Sequence, residues 1–111
     1  MKSFKVKVCK SEVRNGDVSL GLRVLGHDIA EFADSFPSFK QPSHGILSVE
    51  ARRGTPVYSA ELQRMPYEAL EELSAGTVLR AVLGIGNNGL VLHGCQVLVF
   101  GANRFGFVAE D

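Results

Sequence analysis

The side chains in this chain that are able to do chemistry are mainly cations and rings. Lys5, Lys7 and Lys10 recur in the opening segment MKSFKVKVCK, and Arg52 and Arg53 stand side by side further on. Alternating spacing places Lys5 and Lys7 on one face of a strand. A row of cations on a strand face suits a phosphate backbone; it equally suits a wetted strand surface or the protection of a sheet edge. Arg23 and Lys40 extend the set. Phe39 beside Lys40, and Tyr58, are rings able to stack on a base.

Other groupings point to less. Gly84-Ile85-Gly86-Asn87-Asn88-Gly89 fits G-x-G-x-x-G, but a dinucleotide site needs a helix after that motif, to set its N-terminus against pyrophosphate. Here an apolar, strand-like run follows, so the glycines read as a hairpin turn. His93 and Cys95 alternate onto one strand face, with Cys9 able to approach them. Zinc wants four ligands, usually in close pairs, and that spacing is missing. His27-Asp28 has no nucleophile motif around it, and Glu71 and Glu72 point differently from consecutive helical positions. No catalytic residues, metal or cofactor are expected, and the chain does not read as an enzyme. Arg104-Phe105-Gly106-Phe107-Val108 resembles the aromatic centre of an RNA-recognition-motif strand. It lacks that strand's first glycine and a partner strand, so Phe105, Phe107 and Val108 are assigned to core packing or to an oligomerisation arm.

Composition sets the frame. The 111 residues suit one domain, 1–111, able to bury roughly two-thirds of its unfolded surface, with residues 101–111 as a last strand or C-terminal arm. Twelve acids balance twelve Lys and Arg, so net charge gives nucleic-acid binding no support and only local placement can. No apolar run approaches the ~18 residues of a membrane helix, and the N-terminal segment has no apolar signal core. A cytoplasmic protein with free Cys9 and Cys95 is expected.

The elements that must position these residues follow from periodicity. Phe4, Val6 and Val8 alternate with lysines, Asn15-Gly16 makes a turn, and Val18 to Val24 alternate again: an antiparallel hairpin over 4–25. Ile29, Phe32, Ala33 and Phe36 share one helical face, ended by Pro37. Ile46 to Arg53 is a strand, broken at Gly54-Thr55-Pro56, and Val57 to Leu62 continues extended. Pro66 opens a second helix over 66–74, capped by Gly76. Residues 77–85 and 90–100 form a long hairpin about Asn87-Asn88-Gly89. Arg80 is its one formal charge, which implies that at least one strand is covered on both faces.

The order of hairpin, helix, strand, short helix and hairpin resembles the OB-fold, mostly over residues 46–100. Leu73-Ser74-Ala75-Gly76-Thr77-Val78-Leu79-Arg80-Ala81-Val82 looks like its helix-to-fourth-strand passage, and Gly89-Leu90-Val91-Leu92-His93 resembles its fifth strand. Phage-like single-stranded DNA-binding proteins are the family this order is most similar to. The resemblance implies a mainly β, OB-like five-stranded Greek-key barrel with two short α-helices. It also implies sequence-tolerant binding of single-stranded nucleic acid, DNA rather than RNA; no binding residue transfers position by position, and the candidates, from charge and ring placement, are Lys5, Lys7, Lys10, Arg23, Phe39, Lys40, Arg52, Arg53 and Tyr58. Homodimers or higher homo-oligomers are expected through Phe105, Phe107 and Val108. The competing expectation is a small protein-interaction module, an inhibitor or assembly subunit, that uses apolar surface and the Phe-rich tail.

Overall fold

The computed structural model describes residues 2–39 and 45–101. Lys40 and the tail residues Phe105, Phe107 and Val108 lie outside the described residues. Two hairpins carry most of the sheet. Strands β1 (Ser3–Arg14) and β2 (Asp17–Val24) join through Asn15 and Gly16, both at positive φ (52° and 86°), as a twisted two-residue hairpin turn requires. Strands β6 (Val78–Gly86) and β7 (Gly89–Val99) join through Asn87 and Asn88. In this second turn the positive φ falls on Gly89, at 131°, and not on the asparagines.

The strands close on themselves. β1 pairs with β2 and with β6, β2 with β3 (Leu47–Ala51), and β6 with β7. The ring is completed by β3 and β7, which run parallel at Val49–Leu90 and Glu50–Val91. The result is a closed five-stranded β-barrel with two helical segments. Alternation does the sorting: Phe4, Val6, Val8, Val18, Leu20, Leu22, Val24, Val49, Leu79 and Ala81 all point inward and are buried.

Each end of the barrel is plugged. Helix α1 (Asp28–Ser35) lies between β2 and β3 and buries Phe32. The Phe32 ring meets Phe4 edge-on, with centroids 5.5 Å apart, and Phe36 packs at 5.2 Å. Burial of a ring this size stabilises the fold by about 1.5–3 kcal/mol. At the other end a 3-10 helix (Tyr67–Glu72) buries Leu70, whose carbonyl accepts from Ser11 Oγ at 2.7 Å.

Several expectations are corrected. The helix expected over 66–74 is a 3-10 helix that follows Pro66 and stops at Leu73, which is extended. Gly76 is not its cap. At φ 95° it sits in the turn from Ser74 to Thr77 and donates its N–H to Val8 O, continuing the β1–β6 ladder. The run Val57 to Leu62 is not one strand. It is β4 (Val57–Tyr58), a turn in which Leu62 has φ 67°, and β5 (Arg64–Met65). Hydrogen bonds between Ser59 and Gln63 close that turn. β4 also pairs with β7 in parallel, beyond β3. The nine residues from Val49 to Val57 span only the six from Leu90 to Cys95, and the excess loops out at Arg52–Pro56. No helix of the described residues is long and apolar enough to cross a membrane.

Candidate nucleic-acid interface

Register decides which cations meet. In the β1–β2 pair Lys7 stands opposite Arg23, and in the β1–β6 pair Lys5 stands opposite Arg80. All four are exposed on the outer surface of the barrel. Like charges directly opposed on a sheet face cost stability, on the order of a few tenths of a kcal/mol to 1 kcal/mol per pair. Lys5, Lys7 and Arg80 make no ion pair with a described residue.

The row through Lys5 continues. Arg80 pairs with Gln96 on β7, Gln96 with Tyr58 on β4, and Tyr58 with Arg64 on β5. Lys5, Arg80, Gln96, Tyr58 and Arg64 thus run across five strands on one outer face. Adjacent strands lie about 4.8 Å apart, so the row is about 19 Å long. The Arg64 guanidinium stands 5.8 Å from the Tyr58 ring centroid, within range of a cation–π contact. Gln96 is held by its Nε2, which donates to Ala60 O at 3.0 Å.

A β-bulge adds Lys10. The β1–β2 register slips between Val8 and Lys10, so Cys9 is the extra residue and Lys10, not Cys9, follows Lys5 and Lys7 on the outer face. The Lys10 stem lies across Gly21, where an added Cβ would meet its Cγ at 3.1 Å. A second bulge undoes another expectation. The β6–β7 register slips between Val82 and Leu83, which leaves His93 as the extra residue. His93 is exposed on the outside while Cys95 is buried inside, so the two do not share a face. Burial pushes the Cys95 thiol up to about 12.

Arg52 and Arg53 are not brought to this face. The row through Lys7 and Arg23 reaches the chain at Ile46, six residues before Arg52, or about 20 Å along the strand. Ser48 and Glu50 lie between. The Arg53 N–H donates to Asp17 Oδ1 at 3.1 Å, and its guanidinium stands 5.8 Å from the Tyr67 ring. Nearby, between the two hairpin turns, a recess of about 250 Å³ is lined by Arg14, Asp17, Ser19, Glu50 and Asn88. Its mixed charge gives a phosphate no preferred seat. Phe39 is half-buried and packs against the core, so its ring is not presented for stacking.

The cationic face has an acidic limit. Asp28, at the start of α1, accepts the Lys5 backbone N–H at 2.6 Å and shares a recess with the side chains of Lys5, His27 and Arg80. Glu31 pairs with Lys2 at 3.0 Å. Many of the acids that balance the chain's charge sit on α1, on the 3-10 helix and around the recess at the far end of the barrel, while Glu61 lies in the turn between β4 and β5.

Sequence reasoning missed Arg80, Arg64, Gln96 and His93 as members of one surface. Arg80 was visible as a lone charge between inward Leu79 and Ala81, but its partner across the ladder is set by register alone. The scarcity of charge in β6 and β7 had implied that at least one of them is covered on both faces. On β6 the outward positions are Val78, Arg80, Val82 and Gly84, which are uncharged except for Arg80 yet open to solvent or only half-buried. No family model and no curated protein matches the chain.

Proposed function

We propose that this protein binds single-stranded nucleic acid, DNA in preference to RNA, on the outer face of β2, β1, β6, β7 and β4. The observation that carries the reading is the pair of opposed like charges, Lys7 with Arg23 and Lys5 with Arg80, in a chain whose net charge is zero. A fold that holds cations against each other gains by placing an anion between them. Tyr58 in the same row supplies a ring for a base, and stacking on a ring is tolerant of sequence. The strand order around the ring, β1–β2–β3–β7–β6, and the parallel closure of β3 on β7 support an OB-like Greek-key barrel as the scaffold. Self-association belongs to the same reading: Val99 and Phe100 are 59% and 46% exposed and lead into the segment that holds Phe105, Phe107 and Val108.

The test is fluorescence anisotropy on a labelled single strand over a range of salt. Four cations neutralising four phosphates give a slope of about −3 in log affinity against log salt. Lys5→Ala with Arg80→Ala should weaken binding and flatten that slope by about 1.4, whereas Arg52→Ala with Arg53→Ala should leave it nearly unchanged. Absence of binding at low salt refutes the reading and favours a protein-interaction module.

A further inference from the structure

The outer face beside the cation row holds a groove of about 340 Å³. Its floor is Val82 on β6, Gly94 on β7 and Pro56 at the start of β4; Tyr58 and Arg80 stand at one end and His93 is part of its lining. Val82 and Gly94 are cross-strand partners, so floor and cation row belong to one surface. The floor is low because Gly94 has no side chain: an added Cβ would sit 3.6 Å from Pro56 O, with the rest of a larger side chain projecting into the groove. His93 is placed by the bulge in β7. Its ring lies over Gly84, where an added Cβ would stand 2.3 Å from Nε2 and 2.7 Å from Cδ2, so glycine at that position leaves the room that this edge of the imidazole occupies. An apolar floor, two rings and a guanidinium at the rim form the environment of a planar, polar-edged ligand.

We infer that this groove is a base-binding subsite: one unstacked base of the bound strand rests on Val82 and Gly94 against Tyr58 and His93, while the flanking phosphates lie on the Lys5–Arg80 and Lys7–Arg23 pairs. The inference rests on the single-strand reading above and adds where the base goes. The occupant follows from continuity and charge. The groove opens beside Arg80, so a chain whose phosphate sits on that cation brings its adjoining base to the groove. Contact by ring and floor, without a fixed set of hydrogen bonds, makes the subsite sequence-tolerant.

The experiment compares a labelled single strand with an otherwise identical strand carrying abasic sites, which keeps the phosphates and removes bases. The natural protein should bind the intact strand about five- to a hundredfold more tightly. That ratio should shrink towards one in His93→Ala, in Tyr58→Ala and in Gly94→Val, which fills the floor, with the salt slope retained; thermal melts confirm that each variant is folded. If neither strand binds, the single-strand reading falls and the subsite with it. If both strands bind the natural protein equally, the subsite is refuted while binding through phosphates stands. If the ratio is large but survives in folded His93→Ala and Gly94→Val, the base lies elsewhere and the inference is overturned.

Discussion

Tyr67→Phe removes one oxygen from a hydroxyl that joins three elements. Tyr67 Oη accepts from the Val18 N–H at 2.9 Å and donates to Ala51 O at 2.5 Å. Val18 and Ala51 are themselves paired across β2 and β3, and both are fully buried. The hydroxyl therefore ties the 3-10 helix to the end of that ladder, and in the variant a buried donor and a buried acceptor lose their partner. Each lost bond removes about 0.5–1.5 kcal/mol, and an orphaned buried group costs at the upper end of that range or beyond. We expect a loss of about 1–3 kcal/mol. For a domain of this size, each kcal/mol is worth about 4 °C in melting temperature. Calorimetry or a urea titration followed by circular dichroism reads the difference directly, with Tyr58→Phe as the control that should stay within about 0.5 kcal/mol. A Tyr67→Phe variant equally close to the natural protein would refute the view that this hydroxyl completes the β2–β3 ladder.

Phe32→Ala should destabilise by about 3–5 kcal/mol, because it empties the ring cluster with Phe4 and Phe36 that closes one end of the barrel; chemical denaturation checks it. The Cys95 thiol, pushed from 9.0 up to about 12 by burial, keeps its proton in the folded chain where the unfolded chain has lost it. Its contribution is whole below about pH 9 and falls as pH rises towards 12, by at most about 1.4 kcal/mol per pH unit. Cys95→Ala should therefore show a shallower alkaline loss of stability than the natural protein, measured as urea midpoints at mildly and strongly alkaline pH. Tyr67 is also raised, chiefly by burial and against the Val18 N–H, and adds a loss in the same direction above about pH 10 that both proteins share. A thiol reagent on the folded protein should modify half-buried Cys9 before buried Cys95, as peptide mapping would show.

The fold was largely legible because its signals are local. Alternation at Phe4–Val8 and Val18–Val24, the Asn15-Gly16 turn and the apolar runs on either side of Asn87-Asn88 each fix an element from neighbouring residues alone. What escaped depends on pairing between distant segments. The bulges at Cys9 and His93 leave no mark in periodicity until the opposite strand is known, yet they bring Lys10 to the cationic face and send His93 and Cys95 to opposite sides. Arg52 and Arg53 looked like company for Lys5 and Lys7 because they were expected on the third strand of the same sheet, whereas β3 ends at Ala51. The β2–β3 register sets them about 20 Å further along the strand, beside Asp17 and Glu50. The apolar character of β6 and β7 was read as burial of at least one of them on both faces. Part of it is instead the groove that half-buried Val82 lines beside buried Gly94, and sequence does not distinguish such a partly open surface from a covered one.

The location of the binding face is tested most directly by amide chemical-shift mapping of the isotope-labelled protein during titration with a short single strand of DNA. We expect shifts concentrated at residues 3–10, 78–84, 93–97 and at Tyr58, with those at Asn15–Ser19, Ser48–Arg53 and Asn87–Leu90 small. Shifts confined to that second set, or none at a concentration where the strand is in excess, would contradict the assignment of nucleic-acid binding to the Lys5–Arg80 face.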